Sequence, residues 1–136
     1  MTQEDKELLL KDLCARLPYN PLVEYKGESY NVLGIAHGRL VLCKPFMSYT
    51  LKENPLVEEA KPYLFPLSSM TDEQKKEYNF WKHEVFVCHY EYGDVVEEIE
   101  LYDSPESFEY LIENHFDYRG LIPKGLAIDA TGLNIY

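Results

Sequence analysis

Two groups of residues in this chain have the types and spacing that chemistry would need. The first is His83, Glu84, His89, Glu91 and Glu98, inside the run WKHEVFVCHYEYGDVVEEIELY at 81–102. If that run is a β-hairpin turned at Gly93-Asp94, cross-strand partners sum to 187, His89 lies directly opposite Glu98, and Glu91 falls on the same side. Such a His and carboxylate cluster could take a divalent cation. The run has no HxH or HExxH spacing, however, and a cross-strand His–Glu pair accounts for it better, at a few tenths of a kcal/mol.

The second group is His115, Asp117 and Arg119 in NHFDYRG at 114–120, polar residues that invite a catalytic reading. The structural reading is stronger. His115 falls in an apolar stripe near a helix end, where a cation meets the helix dipole favourably, and Arg119 can pair with Asp117 or with an acid of the hairpin. Ser68, Ser69 and Cys88 sit in no nucleophile elbow or triad motif. There is no GxxxxGK[ST] or GxGxxG, and Lys124-Gly125 alone makes no phosphate loop. The expectation is a protein with no catalytic residues, metal or cofactor.

The elements that would position these residues follow from local signals. In the hairpin, Phe86, Cys88, Tyr90, Tyr92, Val95, Ile99 and Leu101 share one face with Glu97 as its only charge. The other face carries Val85, Val87, His89, Glu91, Val96, Glu98, Glu100 and Tyr102, so it meets solvent or a partner. His89, Glu91, Glu98, Glu100 and Tyr102 are the candidate partner-binding residues. Asp103 or Ser104 can cap a helix over 105–116, with Pro105 at its first position and Glu106 placed as a capping-box acid. Phe108, Leu111, Ile112, His115 and Phe116 form its stripe, which should pack on the hairpin's apolar face.

Upstream, Thr2 can cap a helix over 3–16 whose stripe is Leu9, Leu10, Leu13, Cys14 and Leu17. LVEYKGESYNVLGIAHGRLVLCK at 22–44 breaks at Lys26-Gly27 and His37-Gly38 and reads as a three-stranded meander. Residues 45–54 could add a strand, FMSYTLKE, and 56–60 a helical turn. Pro62 and Pro66 make 61–69 an extended connection. Thr71 and Gln74 then open a helix that reaches about Lys82. The apolar residues of 117–136 should dock on the domain.

At 136 residues, 46 % of them hydrophobic, the chain fits one α+β domain: an antiparallel sheet or small half-open barrel with about three helices. It has no apolar run of about 18 residues, and its acidic N-terminus is unlike a signal peptide, which predicts a cytoplasmic protein. Cys14, Cys43 and Cys88 are odd in number and far apart, hence small buried thiols in a reducing compartment. Residues 72–117 hold fourteen Asp and Glu against three Lys, and so carry the whole net charge of −11. That surface disfavours nucleic acid and anionic membranes and favours either a basic partner or mere solubility. Twelve tyrosines, several in the acidic region, suit an interface when they are not in the core.

Three stretches, LLLKDLCARLPY (8–19), KPYLFPLSSMTDEQKKE (61–77) and ENHFDYRGLIPKGLAID (113–129), resemble a family of small proteins of unknown function in Bacteroides-type gut bacteria, their phages and mobile elements. The resemblance brings no catalytic residues with it. Residues 20–60 and 82–112 do not match the family, which suits a scaffold whose variable parts choose the partner. The function expected is that of a non-enzymatic accessory protein that binds another protein through the hairpin at 85–102 and the helix at 105–116. One alternative is an acidic mimic of nucleic acid that occupies the groove of a DNA- or RNA-binding protein. Another is a small enzyme or metal-binding protein using His89 or His115.

Overall fold

The computed structural model describes residues 1–46, 49–91 and 94–136, and of 83–91 and 94–102 the backbone alone. The fold is α+β, with three α-helices and an open, mostly antiparallel six-stranded sheet among the described residues. Contacts group the chain into two compact units, Met1–Ser69 with Ile112–Tyr136, and Met70–Leu111.

The larger unit begins with helix α1, Gln3–Arg16, capped by Thr2, whose hydroxyl accepts the Asp5 N–H at 3.1 Å. The meander forms as its turn residues predict: β1 Leu22–Tyr25, β2 Glu28–Ala36 and β3 Arg39–Cys43. Lys26 and Gly27 have φ of 51° and 79°, and His37 and Gly38 have 54° and 72°. Two successive left-handed residues are what a two-residue loop needs to match the twist of its strands.

Strand β4, Lys61–Pro66, lies inside the sheet, in the order β3-β2-β1-β4-β7. Here β7 is Phe116–Asp117, and β8, Ile128–Asp129, also pairs with β4. The expected connection is therefore a strand. Its two prolines are tolerated because no ladder on it runs beyond two residues: 61–62 against β1 antiparallel, 63–64 against β8 parallel, and 65–66 against β7 parallel. The strand expected over 45–54 is not found among the described residues. Thr50 makes a single bridge to Cys43, and residues 47 and 48 lie outside the description. A 3₁₀ turn covers Val57–Glu59.

One face of the meander, with Val23, Tyr25, Tyr30, Val32, Leu40 and Leu42, packs with Leu9 and Leu13 of α1 into the main core. Leu64, Leu121 and Leu126 extend it, so the segment after β7 docks as its composition predicts. Each such side chain contributes on the order of 1.5–3 kcal/mol by leaving water. Beside Leu9 and Leu13, α1 also buries Asp12 and Arg16, whereas Cys14 is exposed, against the stripe and the buried thiol expected.

In the smaller unit, helix α2 spans Asp72–Phe80, shorter than expected, behind a reciprocal capping box. The Gln74 N–H donates to the Thr71 hydroxyl at 3.1 Å and the Thr71 N–H to the Gln74 side chain at 2.9 Å. Strands β5, His83–Glu91, and β6, Asp94–Tyr102, form a two-stranded antiparallel pair in which Glu91 faces Asp94 and partners sum to 185. Asp94 is thus in a strand rather than a turn, and Gly93 lies outside the described residues. The expected register is corrected by two residues. Side-chain direction has a period of two, so the slip pairs the same odd and even positions.

Helix α3 spans Pro105–Glu113. Ser104 supplies the cap, its hydroxyl accepting the Ser107 N–H at 3.1 Å. The buried side is Ser107, Tyr110 and Leu111, while Phe108 keeps 40 % of its surface exposed. The expected stripe is displaced because the helix stops at Glu113: His115 has φ of 63° and Phe116 enters β7. No helix among the described residues is long and apolar enough to cross a membrane.

Candidate functional site

NHFDYRG crosses the larger unit just after α3, and the tertiary structure sends its polar side chains to three different partners. Asp117 is buried, and its two oxygens accept the N–H groups of Leu121 and Ile122, each at 2.9 Å. Arg119 Nε lies 3.3 Å from Asp12 on α1, a partner other than the two expected. His115 stacks on Tyr136, with ring centroids 3.5 Å apart and planes at 11°. Burial, and then the nearby Arg16 guanidinium, pushes its pKa down to about 4. The imidazole is neutral at pH 7, so the cation expected at a helix end is not what stands here. Each of the three side chains thus has its own structural partner.

Arg16 is the organising residue. Fully buried, it donates from Nε to Asp12 at 2.8 Å and from Nη2 to the Phe116 carbonyl at 2.6 Å. It thereby ties α1 to the start of NHFDYRG. A buried guanidinium holds its charge only when a carboxylate compensates it, and Asp12 one turn earlier does so. Sequence reasoning missed this pair, since i and i+4 opposite charges are common on exposed helix faces. The signal was that Asp12 and Arg16 share the side of Leu9 and Leu13.

Tyr136 bridges two strands of the sheet. Its hydroxyl accepts the Leu22 N–H and donates to the Tyr63 carbonyl, both at 3.0 Å. In the β1–β4 register Leu22 would be the next partner of Tyr63, so the phenol stands where a ladder bond would otherwise be made. Enclosure of the hydroxyl raises its pKa to about 12, although the residue as a whole keeps 42 % exposure.

The smaller unit carries the candidate partner-binding residues. The backbone places His89 opposite Val96, Glu91 opposite Asp94, Glu98 opposite Val87, Glu100 opposite Val85 and Tyr102 opposite His83. His89 and Glu98 are therefore not direct cross-strand partners as the sequence predicted, since the register differs by two. The side chains of the cation cluster drawn from His83, Glu84, His89, Glu91 and Glu98 lie outside the described residues.

Around the hairpin, Tyr78 donates to Asp103 at 2.6 Å, and Tyr110 donates to Glu77 at 2.9 Å. Burial and the Asp103 carboxylate push the Tyr78 pKa up to about 12. Lys82 sits 4.6 Å from the centre of the Tyr78 ring and 3.8 Å from Asp103. Phe80 and Trp81 meet edge to face, centroids 5.0 Å apart, and are 76 % and 41 % exposed.

With this α+β fold and these sites in view, comparison with protein-family models, with curated proteins and with solved structures gave no match to any of them.

Proposed function

We propose that the protein is a cytoplasmic, non-enzymatic binding protein whose smaller unit engages a basic protein partner. The observation that carries this reading is the coincidence of charge and exposed aromatic surface on one unit. Met70–Leu111 holds twelve Asp and Glu against three Lys, a balance of −9, while the larger unit holds twelve acids against ten bases. The same unit exposes Phe80, Trp81 and Phe108. Acidic groups steer a basic surface and set register, and exposed Trp and Phe supply the desolvated anchors that dominate binding energy. His89, Glu91, Glu98, Glu100 and Tyr102 of the hairpin are the residues assigned to the contact. The resemblance of 8–19, 61–77 and 113–129 to proteins of phages and mobile elements supports an accessory role.

The test uses the full chain as bait in bacterial lysate at low and moderate salt, followed by titration of the purified partner. Three baits are compared: wild type, Glu91→Gln with Glu98→Gln and Glu100→Gln, and Phe80→Ala with Trp81→Ala. The expected result is one basic protein that binds wild type more weakly as salt rises and is lost by both variants. A partner held equally by all three baits would place the interface elsewhere and overturn the reading. Displacement of the partner by DNA would identify a nucleic-acid mimic instead.

A further inference from the structure

The larger unit has a groove beside Tyr136, on the opposite face of the meander from α1. It is open to solvent and offers a volume of about 550 Å³, within the range of small-molecule sites. Its floor is the face of the meander turned away from α1: Leu22 pairs with Asn31, and Ser29 is two residues from Asn31 on the same side. Asn20, Phe46 and Tyr136 contribute to its walls.

The chemistry of this lining is narrow. No charged side chain lines it among the described residues, so an anion would find no cation there and an ammonium no carboxylate. The amides of Asn20 and Asn31 each offer two N–H donors and an acceptor, free of hydrogen bonds to the other described residues. Ser29 adds a hydroxyl, already 3.0 Å from that of Tyr63. Main-chain groups of β1 and β2 are committed to the sheet, so an extended peptide has no strand edge to join on this floor. Ile135, partly exposed, offers an aliphatic surface, and Phe46 a fully exposed ring whose electron-rich face suits C–H groups.

We infer that this groove binds a neutral carbohydrate. Adjacent hydroxyls, each both donor and acceptor, match the two amides, and the C–H face of the sugar ring covers Ile135 and Phe46. The site belongs to the larger unit and stands or falls independently of the protein-binding reading. The experiment is an NMR titration of the isotope-labelled full chain with glucose, galactose, N-acetylglucosamine and maltose, with a sugar phosphate as the charged control. At least one neutral sugar is expected to give saturable shifts at the side-chain amides of Asn20 and Asn31 and at Ile135 and Phe46. Asn31→Ala and Phe46→Ser should each weaken binding by about tenfold or more. Phe46 is wholly exposed, so its variant keeps the wild-type melting temperature and separates lost binding from lost folding. The inference is overturned if no neutral sugar gives saturable shifts in the groove, if the sugar phosphate binds as tightly, or if both variants bind like wild type.

Discussion

At His115 burial and a neighbouring cation act in the same direction. Both disfavour the imidazolium, so the folded pKa of about 4 lies below the ordinary value of 6.5. Between these values the unfolded chain binds the proton and the folded chain does not, so the contribution of His115 to stability is complete above about pH 6.5 and is lost as pH falls towards 4. Part of any acid destabilisation comes from carboxylates, which the variant His115→Asn isolates. Asn tolerates the left-handed backbone at this position and does not titrate. Its melting temperature should fall less steeply than that of wild type between pH 6.5 and 4; parallel curves would show that His115 does not carry the effect. Arg16 illustrates the opposite arrangement, a charge kept in the interior because Asp12 and the Phe116 carbonyl meet it.

At the scale of elements, β4 is held by several short ladders instead of one long one, which makes the gaps between ladders important. Tyr136 closes the gap that follows the β1–β4 pairs. Tyr136→Phe keeps the ring beside His115 and Phe65 but leaves the Leu22 N–H and the Tyr63 carbonyl without this partner. Loss of about 1–3 kcal/mol is expected, the range for stranding buried polar groups. It should appear as a lower urea midpoint at unchanged m-value. A midpoint equal to that of wild type would mean that the two strands meet directly once the hydroxyl is gone.

For the whole molecule, the division of the core decides what can be removed. Among the described residues, the cluster around Leu9, Leu13 and Leu64 and the one around Leu22, Tyr63 and Ala130 draw only on the larger unit. Replacing residues 70–111 with a short Gly/Ser linker should therefore leave a cooperatively folding protein with dispersed amide resonances. The net charge of that protein falls from −11 to −2. A non-cooperative melt would show that the smaller unit is needed for the core. The excised protein should also lose the basic partner while keeping the groove beside Tyr136.

Signals confined to about four residues determined the caps at Thr2 and Thr71, the loops at Lys26-Gly27 and His37-Gly38, and the α+β class, because helix caps and tight turns are local hydrogen-bond and φ requirements. The hairpin was equally legible as a pattern, but its register was not: turns centred one residue apart shift the pairing by two and keep the same alternation. Only the tertiary structure decided that Lys61–Pro66 is an interior strand, that Arg16 is buried against the carbonyl of Phe116, and that Tyr136 joins β1 to β4. Each depends on partners tens of residues or more away. Charge and composition along the chain do not record which distant group will be there to satisfy a buried guanidinium, a strand edge or a phenol.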